Sequence, residues 1–340
     1  MRTSEPWLAT ILPVYNEAEH IEACLHSLLN QTLSHDEHII VVLDGGSSDG
    51  TKDIVKSIQD QYVKDKHPLL QLVDNPNRFV PHARNLAMQI IPDSVTHLLE
   101  FNGHIEAELD HLSQLKTTMF RLEKEHPSIA GLGCRVVGSN NDQSRIESII
   151  DSTLSSPFGG STGQFAVFDK EEPTNVPAFT LHRRSALEAV GGWDESFLTS
   201  QDSDLSMRLK KAGYSLFRTP NVVVKMRRRE SYTSWFLMSH RYGFWRTKVL
   251  LKHPKRLVIR ELLPLFGITL VCLLLAFSPS FVGIPLVAYA CVLACSGLIQ
   301  LRKGFSHILG VPFALLLLHI GFTIGLIDGL FRKGRASQDR

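Results

Sequence analysis

HIIVVLDGGSSDGT, residues 38–51, decides the fold class. Its core IIVVL is apolar at every position rather than at every second one. A strand with no polar face is buried on both sides. It runs into a cluster of Asp, Gly and Ser that reads as a turn, and Thr51 then opens a helical pattern to residue 65. The same alternation repeats on either side. Residues 8–14, 69–73 and 96–101 read as strands. Residues 17–30, with Ile21, Leu25, Leu28 and Leu29 at helical spacing, and residues 80–91 read as helices. Strands and helices taking turns predict an α/β domain with a Rossmann-like, mostly parallel sheet covered on both faces.

Such sheets bind ligands beyond the carboxyl ends of their strands. The turns there are PVYNE (13–17), DGGSSDGT (44–51), DNPNR (74–78) and NGH (102–104), all polar. Residues 132–175 are rich in Gly and Ser and read as loops around a short strand at 133–137. Further on, QDSDLSMRLKKAGY (201–214) reads as an amphipathic helix with Leu205, Leu209 and Ala212 on one face and Gly213 as its stop. Asp202 and Asp204 in its first turn suit the helix dipole, whatever else they do.

The chain has 340 residues, 44% hydrophobic, and a formal net charge of +2, which makes no case for a nucleic-acid partner. The charge is uneven, however. Residues 225–260 hold eleven Lys or Arg against one acid, Glu230, and residues 262–301 then contain no Asp, Glu, Lys, Arg or His. A bilayer span takes roughly 20 apolar residues, so this stretch has room for two, with Ser278-Pro279-Ser280 as the turn between them. Residues 304–327 offer a third. An integral membrane protein is expected, with membrane lipids as partners of the basic block. The positive-inside rule puts the part before residue 262 in the cytoplasm, and Arg302-Lys303 agrees. The tail FRKGR (331–335) does not, since three full spans would place it outside. Either one segment is interfacial or re-entrant, or the rule is broken. The run 8–14 is too short for a signal-peptide core, so no cleaved leader is expected. The cysteines at 24, 134, 272, 291 and 295 show no metal or redox spacing.

PVYNE, the D-x-x-S-x-D-G-T turn, the ARN of 83–85, GGWDE (191–195) and the acidic D-L-x-x-R-L element together resemble family 2 glycosyltransferases of the GT-A fold. VPAFTLHRRSALEAVGGWDE (176–195), RYGFWR (241–246) and the apolar tail resemble the membrane-bound succinoglycan-biosynthesis glucosyltransferases. The resemblance implies a glycosyltransferase domain over 1–220, a basic juxtamembrane segment over 221–261, transmembrane helices over 262–330 and a basic tail over 331–340. It implies that Pro13, Tyr15, Glu17, Asp44 and Asn102 hold the base and ribose of a nucleotide-diphosphate sugar, a UDP-sugar being favoured, and that Arg84 approaches the diphosphate. For Asp44 a turn-forming role stands beside this one. Asp202 would be the catalytic base. Trp193, Asp194, Arg228 and Trp245 would line the acceptor and sugar pocket, core packing being the other reading of Trp193.

The family normally has D-x-D where this chain has Asn102-Gly103-His104. His104, helped by Asn102, is then the expected contact for a divalent metal, Mn²⁺ favoured over Mg²⁺ because imidazole suits the softer ion. Glu100 is a possible substitute ligand. Phe244 stands where processive relatives have Arg, which argues against a polymer synthase. The expected activity is inverting transfer to a lipid-linked acceptor of the polyprenyl-phosphate type. A polyprenyl-phosphate sugar synthase and a non-catalytic nucleotide-sugar-binding partner subunit are the alternatives.

Overall fold

The computed structural model describes residues 5–61, 67–138, 143–159 and 168–334. The chain divides into two compact units, one of the described residues up to 137 with 168–226, the other of those in 138–167 with 227–340.

The first unit alternates as its sequence predicts. Strand β1 (Leu8–Val14) leads to helix α1 (Ile21–Leu29), β2 (His38–Asp44) to α2 (Thr51–Asp60), and β3 (Leu69–Asp74) to α3 (Val80–Ile90). Then come β4 (His97–Glu100), β5 (Ile105–Ala107), α4 (His111–Glu125) and β6 (Ile129–Gly138). In the second unit α5 (Arg145–Leu154) follows. The first unit resumes with β7 (Glu172–Pro173), β8 (Leu181–Arg183), α6 (Arg184–Ala189), α7 (Gln201–Lys211) and β9 (Ser215–Met226).

One sheet carries all nine strands in the order β3-β2-β1-β4-β8-β6-β9-β5, with β7 on β9. The pairs β2–β3, β1–β2 and β1–β4 are parallel, whereas β4–β8, β6–β8, β5–β9 and β7–β9 are antiparallel. The continuous apolar runs therefore belong to the parallel half. Alternate residues of β2 feed different cores. Ile40 and Val42 join Leu25, Leu28 and Val55 on one face, while Ile39, Val41 and Leu43 join Ala83, Ala87 and Leu187 on the other.

Four expectations change. The helix placed at 17–30 begins only at Ile21, because Asn16 adopts φ 53° and the Glu17 carbonyl closes a turn by accepting from His20 and Ile21. The described residues of the segment 132–175 are not mostly loop. Strand β6 runs from Ile129, and α5 is a full helix that starts with a capping box: Glu147 N donates to Ser144 Oγ (3.2 Å) and Ser144 N to Glu147 Oε2 (2.8 Å). Strand β9 runs through residue 220, where a domain boundary was expected. The helix expected to continue to 65 ends at Asp60; residues 62–66 lie outside the described residues.

The second unit is helical beyond residue 227: α8 (Tyr232–Lys252), α9 (Ile259–Phe277), α10 (Gly283–Leu298) and α11 (Phe305–Phe331). Three segments, Ile259–Phe277, Pro279–Leu298 and Phe305–Phe331, are long and apolar enough to cross a membrane. Helix α11 packs on α8 through a seam of small residues. A Cβ added at Gly325 would lie 2.0 Å from the His240 carbonyl oxygen, and one at Gly243 would lie 2.0 Å from that of Phe322. The approach loosens at Gly329, where a Cβ would lie 2.6 Å from the Phe244 carbonyl oxygen, and at Gly321, where it would lie 3.0 Å from that of Phe236.

Replacing Gly325 by Val forces these backbones apart. Overpacking typically costs about 1–3 kcal/mol, so Gly325→Val should lower the thermal midpoint of the detergent-solubilised protein. A midpoint equal to wild type would mean that the seam does not hold the helices.

Candidate active site

Strand order reverses at β1, which has β2 on one side and β4 on the other. Crossovers leaving such a strand pair in opposite directions open a crevice at the carboxyl ends. The turns after β1, β2 and β4 meet there. The first two are stitched together. Asn16 Oδ1 accepts from Ser48 N (2.9 Å), Ser47 Oγ from Asn16 N (2.9 Å), Thr51 Oγ1 from Glu17 N (2.8 Å), and Asp49 Oδ2 from Ala18 N (2.9 Å). Burial would raise the Asp49 carboxyl, but the Thr51 hydroxyl (2.6 Å) and backbone N–H groups outweigh it and hold the group below its ordinary range.

Asp44 ends β2 with its side chain fully buried. It accepts from Gly46 N (2.9 Å) and Ser47 N (3.0 Å), and Lys52 Nζ stands 3.8 Å away. It therefore shapes its own turn. Pro13 is buried within β1, paired with Leu43. Tyr15 lies half-buried beneath Arg78, whose guanidinium carbon is 4.0 Å from the ring centroid and which also bonds the Tyr15 hydroxyl. Arg78 was not singled out from sequence. Its signal was there: it is the one cation of the turn DNPNR, itself at a strand's carboxyl end. It adopts φ 66°, and a Cβ on Gly45 would lie 2.7 Å from its carbonyl oxygen.

Across the crevice, His104 Nδ1 lies 2.9 Å from Glu17 Oε1, which unites two expected site residues from turns far apart in sequence. Gly103 permits this approach, since a Cβ there would sit 3.0 Å from Glu17 Cγ. Asn102 is half-buried beside them. Among the described residues no group of three or more His, Cys, Asp or Glu could cage an ion. The donor set still fits a metal that arrives with a diphosphate. Such an ion keeps waters and phosphate oxygens and needs one or two protein ligands. A carboxylate on one imidazole nitrogen leaves the other for the ion.

Glu100 is not the substitute ligand. Its carboxylate is buried, where Oε1 lies 3.2 Å from Arg84 Nη1, 3.2 Å from His182 Nε2 and 3.1 Å from Trp193 Nε1. Burial would raise this carboxyl, yet the Arg84 charge, the His182 ring and the indole hold it down at about 2. Arg84, expected at the diphosphate, is 4% exposed and committed to this pair. Trp193 is likewise buried and packs in the core.

The loop that carries Trp193 is clamped by Asn85, which donates to Trp193 O (2.8 Å) and accepts from Trp193 N (2.9 Å). Gly192, at φ 69°, is required there because a Cβ would lie 2.6 Å from Asn85 Oδ1. Asp194 Oδ1 accepts from the backbone and hydroxyl of Ser196 (2.9 and 2.7 Å). At the start of α7, after Ser200 at φ 60°, the two acids separate in role. Asp204 is fully buried on Arg208 Nε (2.8 Å), whose Nη1 reaches Val190 O. Asp202 stays half-exposed and accepts from Ser203 N (2.8 Å). Arg228 and Trp245 belong to the second unit. There Arg228 grips Asp151 through Nε (2.7 Å) and Nη2 (2.6 Å), and Trp245 is buried edge-on to Phe244.

Comparison with known families decides the identity. The profile described as Glycosyl transferase family 2 matches residues 10–191, and that of Glycosyl transferase family group 2 matches residues 110–327. The chain belongs to glycosyl transferase family 2. It is a glycosyltransferase. It is 29% identical over 255 residues to the succinoglycan biosynthesis protein ExoA of Rhizobium meliloti, covering 75% of this chain and 73% of that one. It is 26% identical over 334 residues to the dolichyl N-acetyl-alpha-D-glucosaminyl phosphate 3-beta-D-2,3-diacetamido-2,3-dideoxy-beta-D-glucuronosyltransferase of Methanococcus voltae, covering 96% and 98%. In fold it resembles the mannosyltransferase PcManGT from Pyrobaculum calidifontis, solved with GDP-Man and Mn²⁺, at a TM-score of 0.60 and 18% identity over 98% of this chain and 89% of that one.

In this family 2 chain the Glu100 cluster joins α3, through Arg84, to β8 and to the loop that carries Trp193. Glu100→Gln would leave the Arg84 charge buried without its counter-ion, a loss of about 3–5 kcal/mol measurable by denaturant unfolding at pH 7. Because the folded carboxyl titrates below its ordinary 4.5, its contribution is complete above that value and fades as pH falls toward 2. The gap between wild type and variant should close over that window. A constant gap would assign the loss to shape rather than charge.

Proposed function

We propose that this glycosyltransferase is membrane-anchored, inverts the anomeric centre, and moves one sugar from a nucleotide-diphosphate sugar to a lipid-linked acceptor of the polyprenyl-phosphate type. The observation that carries the reading is that Tyr15, Glu17 and His104 follow the adjacent strands β1 and β4 at the strand-order reversal, with His104 Nδ1 on Glu17 Oε1. The dolichyl-linked relative and the succinoglycan relative support a lipid-linked acceptor and a role in glycan assembly. The exposed apolar helices support an anchor, and the basic residues before them a cytoplasmic catalytic side. A UDP-sugar is the first donor to test, with a GDP-sugar next because the structural neighbour was solved with GDP-Man.

The reaction breaks the bond between the anomeric carbon and the diphosphate oxygen. It forms one from that carbon to the acceptor oxygen, whose proton passes to a base. Asp202 takes the proton, since it is the half-exposed acid of α7, while Asp204 is occupied by Arg208. Tyr15, held under Arg78, offers a flat face and a hydroxyl to the nucleoside, and Glu17 orients His104. His104 and Asn102 would hold a divalent ion, which when bound neutralises charge developing on the leaving diphosphate.

Membranes given labelled nucleotide sugars should transfer label into a lipid fraction; release of free sugar alone would exclude the reading. General-base catalysis is typically worth about 10²–10⁴-fold, so Asp202→Asn should lower kcat within that range and leave donor KM close to wild type. Substantial activity in that variant would favour a bare lipid phosphate as acceptor, which needs no base.

An imidazole ligand without a carboxylate partner on the ion favours Mn²⁺ over Mg²⁺. His104→Ala should lose activity that excess Mn²⁺ partly restores, and Asn102→Asp should tighten Mn²⁺ binding measured by calorimetry with nucleoside diphosphate. Full wild-type activity in excess chelator would remove the ion from the reaction.

A further inference from the structure

The three apolar helices differ in their surroundings. None of the apolar window of α9 is buried in protein and 11% of that of α10, against 33% of that of α11. What covers α11 is mostly α8, which runs along it in the same direction. The Tyr232 ring meets Phe313 at 4.9 Å, Trp235 Nε1 donates to Ala314 O (2.9 Å), Thr247 Oγ1 donates to Leu326 O (2.8 Å), and Lys248 bonds the Arg332 carbonyl. Whatever medium surrounds residues 313–332 therefore also surrounds α8.

Helix α8 carries Arg241, Arg246 and Lys248 and does not qualify as a crossing segment. Carrying it through hydrocarbon beside α11 would take those cations with it. Arg246 is paired with Glu261 (3.1 Å) in the first turn of α9, which adds an acid at the same level. The other end of α11 is held by a polar helix. His307 Nε2 lies 3.1 Å from Ser148 Oγ, and Gly310 packs under Ile149. Lys303 Nζ, just before α11, reaches Ser152 Oγ (2.8 Å). Between Gly310 and Gly325, which meets the His240 carbonyl beside Arg241, residues 311–324 rise about 21 Å, short of a hydrocarbon core of about 30 Å.

We infer that α11 lies in the membrane interface with α8, and that only α9 and α10 cross. The exposed side of α11, with Leu309, Phe313, Ile320, Ile324, Ile327 and Phe331, is its acyl-facing stripe, and the basic residues of α8 meet anionic headgroups. Two crossings return the chain to the side it left. Arg302-Lys303 and the basic tail then share the side of α8, and the conflict with the positive-inside rule disappears.

The test is sided thiol labelling of the full chain. Lys56→Cys on α2, Ser280→Cys between α9 and α10, and Gly334→Cys after α11 are each made with Cys272, Cys291 and Cys295 replaced by Ser. They are treated with a membrane-impermeant maleimide in intact and in permeabilised cells. Lys56→Cys and Gly334→Cys should label under the same condition and Ser280→Cys under the other. Gly334→Cys labelling together with Ser280→Cys would establish three crossings and overturn the inference. All three labelling together would overturn it by abolishing the crossings of α9 and α10. An epitope appended to the otherwise wild-type C-terminus, tested for protease access in sealed vesicles of known orientation, decides the same point without the cysteine background. Access from the side of the catalytic unit supports the inference, and access from the opposite side refutes it.

Discussion

Strand β1 hydrogen-bonds in parallel to neighbours on both sides, and the catalytic unit follows from that constraint. A strand so placed has no edge and no solvent face, which is why its residues are apolar except Thr10, whose buried hydroxyl is met by His38 Nε2. Its two crossovers leave in opposite directions, so its carboxyl end is the one place where the backbone does not fill the layer. Polar turns converge there because no other element competes for the space. The stitching of residues 16–18 to 47–51 gives that opening fixed walls, since each turn satisfies the backbone donors of the other.

Beneath this opening the Glu100 carboxylate binds elements that sequence order keeps apart. A buried acid is tolerable only with its charge answered, and Arg84, His182 and Trp193 all answer it from different segments. The same groups hold Arg84, first expected at the diphosphate, and they fit the core-packing reading of Trp193 rather than the sugar-pocket one. Their polar atoms are directed down into the unit, and the loop they support presents Asp194 and leads to Asp202. Precision at the surface is set by a polar contact underneath it.

The parallel half of the sheet, the turns that carry ligands and the membrane-directed tail were legible because they rest on local pattern. Continuous aliphatic runs, turn residues and an uncharged stretch need no knowledge of the fold. Of the antiparallel half only part of β6 was legible, as the strand at 133–137, while β5 and β8 are too short for any period to register. Helix α5 was legible but overlooked: Ser144-x-x-Glu147 is a capping signature, hidden in a stretch whose composition suggested loop. The partnerships of Glu17 with His104 and of Tyr15 with Arg78 join residues far apart in sequence and depend on strand order. The charge pattern of Glu100 and Arg84 could not reveal that they face each other, because pairing is a property of the fold and not of either segment.

The glycine seam between α8 and α11 also imposes an order in time. Helix α8 leaves the ribosome about 50 residues before α11 begins, a lead of a few seconds at ~5–20 residues per second. Throughout that interval the face of α8 that carries Gly243 has no α11 to pack against. The nascent chain must hold a half-built surface while α9 and α10 are made. The seam can close only once both have been synthesised, so its closure marks the point at which assembly of the anchor is finished.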